Sequence, residues 1–196
     1  MNCLNEVPEQ ARPRFLRALK RLLREIVLLR FEQTALKTLD GKYSVGFDFF
    51  AIAQTAIYGD RLIRLVRLLE DDAEVASFWY LNRCAPRAVK KSLTRAGLTV
   101  DEVADLSSRL KKVRDKVFVH IDKEGLFNPQ QIYEEADIRG SQIQRVIEAL
   151  WYSVNDVYVE ATGEKFEAPP DYDGNDIVRL NEFYRGGRTE HEEKSS

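Results

Sequence analysis

Apolar residues recur at steps of three and four along most of this chain. Phe15, Leu19, Leu22, Leu23, Ile26 and Leu29 form one such stripe, with Arg14, Arg17, Lys20, Arg21 and Arg24 on the positions between them. This is the period of a helix with one buried face. It predicts a helix from Glu9 to about Leu39, where Asp40-Gly41 is a turn signal. Pro8 and Pro13 fall where an early helical turn tolerates them, Pro13 in the first turn or at a kink. A second stripe runs through Phe50, Ala53, Ile57, Leu62, Leu65, Val66 and Leu69. It predicts a helix that begins near Phe47 and ends at Glu70-Asp71-Asp72. An aromatic segment follows over Val75–Cys84, then a short helix from Pro86 to Ala96 with Gly97 as its left-handed stop. Thr99 and Glu102 have the spacing of a capping box and open a helix that extends to about His120. Asn128-Pro129 starts a short turn or helix. Ile143, Val146, Ile147, Leu150, Val154 and Val157 predict a long helix over Arg139–Thr162, closed by Gly163.

No segment alternates apolar and polar residues long enough to demand a sheet. The expected fold class is all-α, a helical bundle of about four long helices plus short accessory helices. Residues 1–167 read as one helical domain. Residues 168–196 read as a linker through Pro169-Pro170 and Gly174, a short helix over 176–184, and a disordered charged tail.

Composition adds limits. With 196 residues, 44% of them hydrophobic, the chain can bury a core without staples. Cys3 and Cys84, its two cysteines, make neither a disulfide framework nor a zinc site, and read as free thiols. The first residues lack the apolar core of a signal peptide, and no apolar run approaches the length of a membrane span. The expectation is a cytoplasmic protein with no membrane partner. The net charge of −2 hides an asymmetry. Residues 1–124 carry 23 Lys and Arg against 17 Asp and Glu, and the remainder carry 7 against 15. A basic part of this kind suits either a polyanion-binding face or solvated helix surfaces.

One helix concentrates candidate chemistry. Leu106, Leu110, Val113, Val117 and Ile121 form its apolar stripe. Arg109, Lys112, Lys116 and His120 form a second stripe, basic, ending on one of the two histidines of the chain. Arg114 borders the apolar side. Six residues of ideal helix turn through about 600°, which leaves Arg114 and His120 about 120° apart. They converge only if the helix ends before His120, or if the pair is repeated across a two-fold dimer.

An Arg, a polar residue, several more residues and a His at the end of a late helix resemble the active-site motif of HEPN-domain proteins. Arg114, Asp115 and His120 fill those positions. The wording RDKVFVHIDKE, with Asp122 soon after the His, looks closest to the abortive-infection U-type HEPN-like proteins. The likeness covers the motif closely and the all-α plan loosely, over about residues 10–165. It implies a metal-independent endoribonuclease, usually dimeric, in phage defence or a toxin–antitoxin pair, with RNA as substrate, a homodimeric partner and an antitoxin protein. Under that reading Arg114, His120 and Asp115 are catalytic, and Lys116, Lys112 and Arg109 bind substrate. No cofactor and no metal are implied. The chemistry agrees: an imidazole moves protons near neutral pH, and a guanidinium forks onto two phosphate oxygens. Asp115 departs from the more usual Asn. A carboxylate beside a phosphate is unfavourable unless it orients Arg114 or His120.

Blander readings stand beside these. His120 can interact with the last carbonyls of its helix, and Arg114 can pair with Asp115, Asp122 or a carboxylate on another helix. The same face can belong to a non-catalytic helical module that binds RNA or protein. His191 sits in the tail and reads as inert. The basic stretch Arg12–Arg24 reads as a solvated face rather than an RNA track. Phe78-Trp79-Tyr80 reads as core or dimer interface rather than a stacking platform, and Tyr133, Trp151 and Tyr152 as core. There is no P-loop or nucleotide-binding glycine fingerprint.

Overall fold

A computed structural model of the chain describes residues 3–39, 48–72, 74–116, 134–180 and 182–183. Every regular element among them is helical, and the fold is all-α as the periodicities predict. Four long helices carry the architecture: α1 (Arg12–Leu39), α2 (Asp48–Leu68), α5 (Val100–Arg114) and α6 (Gly140–Thr162). Two short ones, α3 (Phe78–Cys84) and α4 (Pro86–Arg95), lie between α2 and α5 in the chain. Among the described residues no helix is long and apolar enough to cross a membrane.

The central element is α1, which packs on α2, α3 and α6; α4 packs on α6, and α5 on α2. The predicted stripe explains this position. Phe15, Leu19, Leu22, Leu23, Ile26 and Leu29 are all buried. They meet Leu62 and Leu65 of α2, Leu69 just past its end, and Ile143, Ile147, Leu150 and Val154 of α6 in one core. The Phe78 and Tyr80 side chains enter the same core, while Trp79 is half-buried with its Nε1 donating to the Leu69 carbonyl at 2.9 Å. The aromatic cluster is therefore core. Tyr152 is not: it lies about 200° round α6 from Leu150 and is 60% exposed.

The helix ends follow from local chemistry. The buried Ser77 side chain accepts from the Tyr80 N–H at the start of α3. Pro86 occupies the first turn of α4, and the Glu6 carboxylate accepts from the Arg87 and Ala88 N–H groups at 2.8 and 3.1 Å. This ties the N-terminal segment to α4. Gly97, at φ +80°, ends α4 in the left-handed region. The predicted capping box opens α5: Thr99 Oγ1 accepts from the Glu102 N–H, and Glu102 accepts from the Thr99 N–H at 2.8 Å. Those hydrogen bonds hold the Glu102 carboxyl below its ordinary range. Thr99→Ala is expected to lower stability by about 1 kcal/mol, read as a lower urea midpoint, with Thr99→Ser close to wild type.

The segment read as a linker runs back across α1. Asp171 pairs with Arg30 at 3.0 Å, Tyr172 lies on Phe31 with ring centroids 5.9 Å apart, and Phe166 meets Tyr158 edge-on. Residues 175–180 are helical. Gly174 has φ +74°, and a Cβ there would overlap the Thr38 hydroxyl. Gly174→Ala is therefore expected to lower stability by about 1–2 kcal/mol from the left-handed backbone alone, plus the overlap. Adding Thr38→Ala should recover the overlap part only, which a double-mutant cycle in urea would measure.

Candidate functional site

Arg109, Lys112 and Arg114 sit on the last turns of α5, with Asp115 and Lys116 just past its end, and the helix reaches there because its apolar stripe is anchored. Val103, Leu106, Leu110 and Val113 are buried. That fixes the flanking edge, which carries Arg109, Lys112 and Lys116. Beyond Arg114 the backbone widens to a π-type turn at Asp115 and Lys116, a local unwinding that recurs at functional sites. His120, Val117 and Ile121 lie outside the described residues, as do Asp122, Tyr133 and His191.

Arg114 is only about a quarter exposed, and its guanidinium is held on one edge. Its Nε and Nη2 both donate to Asp115 Oδ1, at 2.8 and 2.7 Å. Its Nη1 stands 3.9 Å from Glu70 Oε1, at the end of α2. The carboxylate next in sequence thus orients the arginine, and a carboxylate on another helix approaches it more loosely. Both arrangements were open from the sequence, and the structure contains both.

The other cations of this face are dispersed among acids. Arg109 pairs with Asp105 at 2.7 Å, donates to the Asp137 carbonyl, and approaches the Asp137 carboxylate at 3.9 Å. Its Nε is buried without a hydrogen-bond partner. Lys116 stands 3.8 Å from Glu135. Lys112 is exposed. The structure therefore brings Arg114 and Asp115 into direct contact, and leaves Arg109, Lys112 and Lys116 along one helix edge rather than converged on a point.

Two features were missed by sequence reasoning. Glu70 also lines a polar cleft of about 590 Å³ between α1 and α2, together with Arg14, Arg21 and Arg67. Deeper in the same interface, Arg64 binds Asp60 at 2.6 Å, Glu25 at 2.6 Å and Glu32 at 3.1 Å. Burial, with the Asp60 carboxylate close by, raises the Glu32 carboxyl to about 7 against the opposing pull of Arg64. Its Oε2 has no hydrogen-bond partner. Asp60 is held below its ordinary range, chiefly by its hydrogen bond from Arg64. Only the Asp60–Arg64 pair had a signal in the sequence, the i,i+4 spacing. Among the described residues no three His, Cys, Asp or Glu side chains form a group suited to a metal ion; the guanidinium of Arg64 occupies the centre of its carboxylates.

Cys3 and Cys84 are free thiols. Burial pushes the Cys3 thiol up to about 11, so it stays protonated and poorly nucleophilic at neutral pH. Comparison with family models, with curated proteins and with solved structures finds no match for this chain.

Proposed function

We propose that this chain is a metal-independent endoribonuclease of the HEPN superfamily, nearest the abortive-infection U-type proteins. In this reading it acts in phage defence or a toxin–antitoxin pair, as a homodimer whose Arg114 and His120 line one cleft. The observation that carries the reading is the setting of Arg114. Its guanidinium is oriented by Asp115 at the end of an anchored helix, on the last turn before the segment that holds His120.

The chemistry is transfer within RNA. The 2′-oxygen attacks phosphorus while His120 moves its proton, the bond to the 5′-oxygen breaks, and that oxygen leaves protonated. Arg114 stabilises the charge on the non-bridging oxygens. Asp115 uses one edge of the fork, so phosphate contact falls to Nη1 and the remaining Nη2 proton, and Glu70 yields. The dimer draws support from apolar surface on the first turns of α2. Phe49 and Ile52 there are 66% and 68% exposed, a surface that a second copy would cover. The test is cleavage of labelled RNA in EDTA by wild type, Arg114→Ala and His120→Ala.

A second reading, a non-catalytic module that binds RNA or protein through this face, is favoured by one observation. Arg109, Arg114 and Lys116 each already face an acid within the chain, which partly neutralises them. Binding without turnover in wild type would select it.

A further inference from the structure

We propose that the exposed face of α1 is a track for single-stranded RNA, with phosphates on Arg17, Lys20, Arg21 and Arg24 and one base seated in an aromatic cavity beside them. The inference deepens the RNA reading above and rests on it for the choice of polymer, but it does not require turnover.

The first observation is charge without partners. From Arg12 through Arg24, α1 carries six cations and no acid. Arg12 and Arg14 are engaged, Arg12 with the Val7 carbonyl and Arg14 with the Glu74 carbonyl and the Tyr80 ring. Arg17, Lys20, Arg21 and Arg24 are exposed, and among the described residues none of them makes an ion pair or a hydrogen bond. Their three- and four-residue spacing puts them on one face. Elsewhere this protein pairs its arginines readily, as Arg30, Arg64, Arg83, Arg109 and Arg114 show. A row of four cations left open is a surface held ready for an anion of repeating charge.

The second observation is independent of charge. A cavity of about 700 Å³ opens along the edge of this row, and Lys20 and Arg24 are part of its wall. Its apolar surface comes from Leu28 and Phe31 of α1, Tyr158 of α6 and Phe166 of the returning strap. The rings are held in place: Phe31 packs against Tyr172, and Phe166 against Tyr158 and Trp151. That volume is in the range of small-ligand sites. Glu164 and Glu167 lie on the strap side of the cavity, where they repel a phosphate and can accept from the N–H edge of a base. A ligand that matches both halves has an anionic backbone and a planar ring with polar edges. Single-stranded nucleic acid has this chemistry, and cationic grooves flanked by aromatic rings bind it. In a duplex the base is stacked and paired and cannot enter.

The test is fluorescence anisotropy on the full-length His120→Ala protein, with 5′-labelled oligouridylate and oligoadenylate of about 12 nucleotides and a matched RNA duplex, over a range of salt. The track predicts a preference for single strands. It predicts a loss of at least about tenfold in affinity for Arg17→Glu/Arg21→Glu, and a salt slope lower by about 1.4, since each single-strand phosphate contact contributes about 0.7. Phe31→Leu, which keeps apolar bulk and removes the ring, should lose about tenfold, the worth of one stacked base, with the salt slope unchanged. Equal affinity for duplex and single strand, with Phe31→Leu silent, overturns the base site. Sedimentation with phosphatidylserine vesicles without RNA binding overturns the track in favour of a lipid surface. Cleavage is measured on the same wild-type preparation: binding without cleavage sinks the nuclease reading and leaves the track, and cleavage that survives Arg17→Glu/Arg21→Glu undiminished sinks the track and leaves the nuclease.

Discussion

Wild-type protein incubated with single-stranded RNA in EDTA is expected to cleave it, and Arg114→Ala and His120→Ala are each expected to lower the rate by about 10²–10⁴-fold. The expectation for His120 follows from its chemistry as the only imidazole outside the terminal tail. The expectation for Arg114 follows from geometry: with Asp115 fixing Nε and Nη2, the guanidinium is preorganised before substrate arrives. Arg114→Lys should rescue little, because an ammonium lacks the fork that Asp115 holds. Asp115→Asn separates orientation from charge. The amide oxygen can still accept from Arg114, and the negative charge near the phosphate is gone, so KM should fall while kcat changes little. A shared cleft makes a further demand. Mixed Arg114→Ala and His120→Ala subunits together retain one complete Arg/His pair, and should recover part of the activity that neither has alone. Intact RNA after incubation with a folded wild-type dimer, across several substrates, would remove the enzyme reading.

What the sequence disclosed about this molecule was local in origin. The α1 stripe, the Thr99–Glu102 capping box and the Gly97 and Gly163 stops each depend on residues within a few positions of one another, and each is present in the structure. Pairings across the fold had no such signal. Nothing in the spacing of residues links Glu70 to Arg114, or Glu25 and Glu32 to Arg64, because α1, α2 and α5 meet only after the core has formed. Tyr152 reads as core from its type and is exposed because its position on α6 faces away from α1. The strap was hidden for a related reason. Pro169-Pro170 prevents helix, which reads as linker, whereas Asp171 and Tyr172 find partners on α1 that only the folded chain supplies. Of the candidate site, the Arg114–Asp115 contact was legible as a neighbour pair, and the relation of Arg114 to His120 turns on residues beyond those described.

The second large effect belongs to the Arg64 cluster and is a matter of sign. Glu32 has its carboxyl raised from 4.5 to about 7 in the folded chain. The folded protein therefore binds a proton that the unfolded chain releases at lower pH. Stability is at its fullest contribution from this group below about pH 4.5, falls as pH rises toward 7, and is lower by up to about 3 kcal/mol above that, at about 1.4 kcal/mol per pH unit. Asp60, held low by Arg64, works in the opposite sense and only in more acid solution. Glu32 is the described group whose shift adds a slope between pH 5 and 8. Glu32→Gln imitates the protonated acid: its carbonyl can accept from Arg64 and its amide can donate to Asp60. The variant should match wild type near pH 5, exceed it by about 2–3 kcal/mol at pH 8 and flatten the profile, followed by the fluorescence of Trp79 and Trp151 in urea. Arg64→Ala should do the reverse. It leaves Glu25, Glu32 and Asp60 facing one another with Glu32 and Glu25 mostly buried, and should lower stability by about 3 kcal/mol at pH 8, less at pH 5, where added protons take over the role of the guanidinium. If the wild-type and Glu32→Gln profiles run parallel from pH 5 to 8, the proton does not reside on Glu32, and its unpartnered Oε2 is only an irregularity of packing.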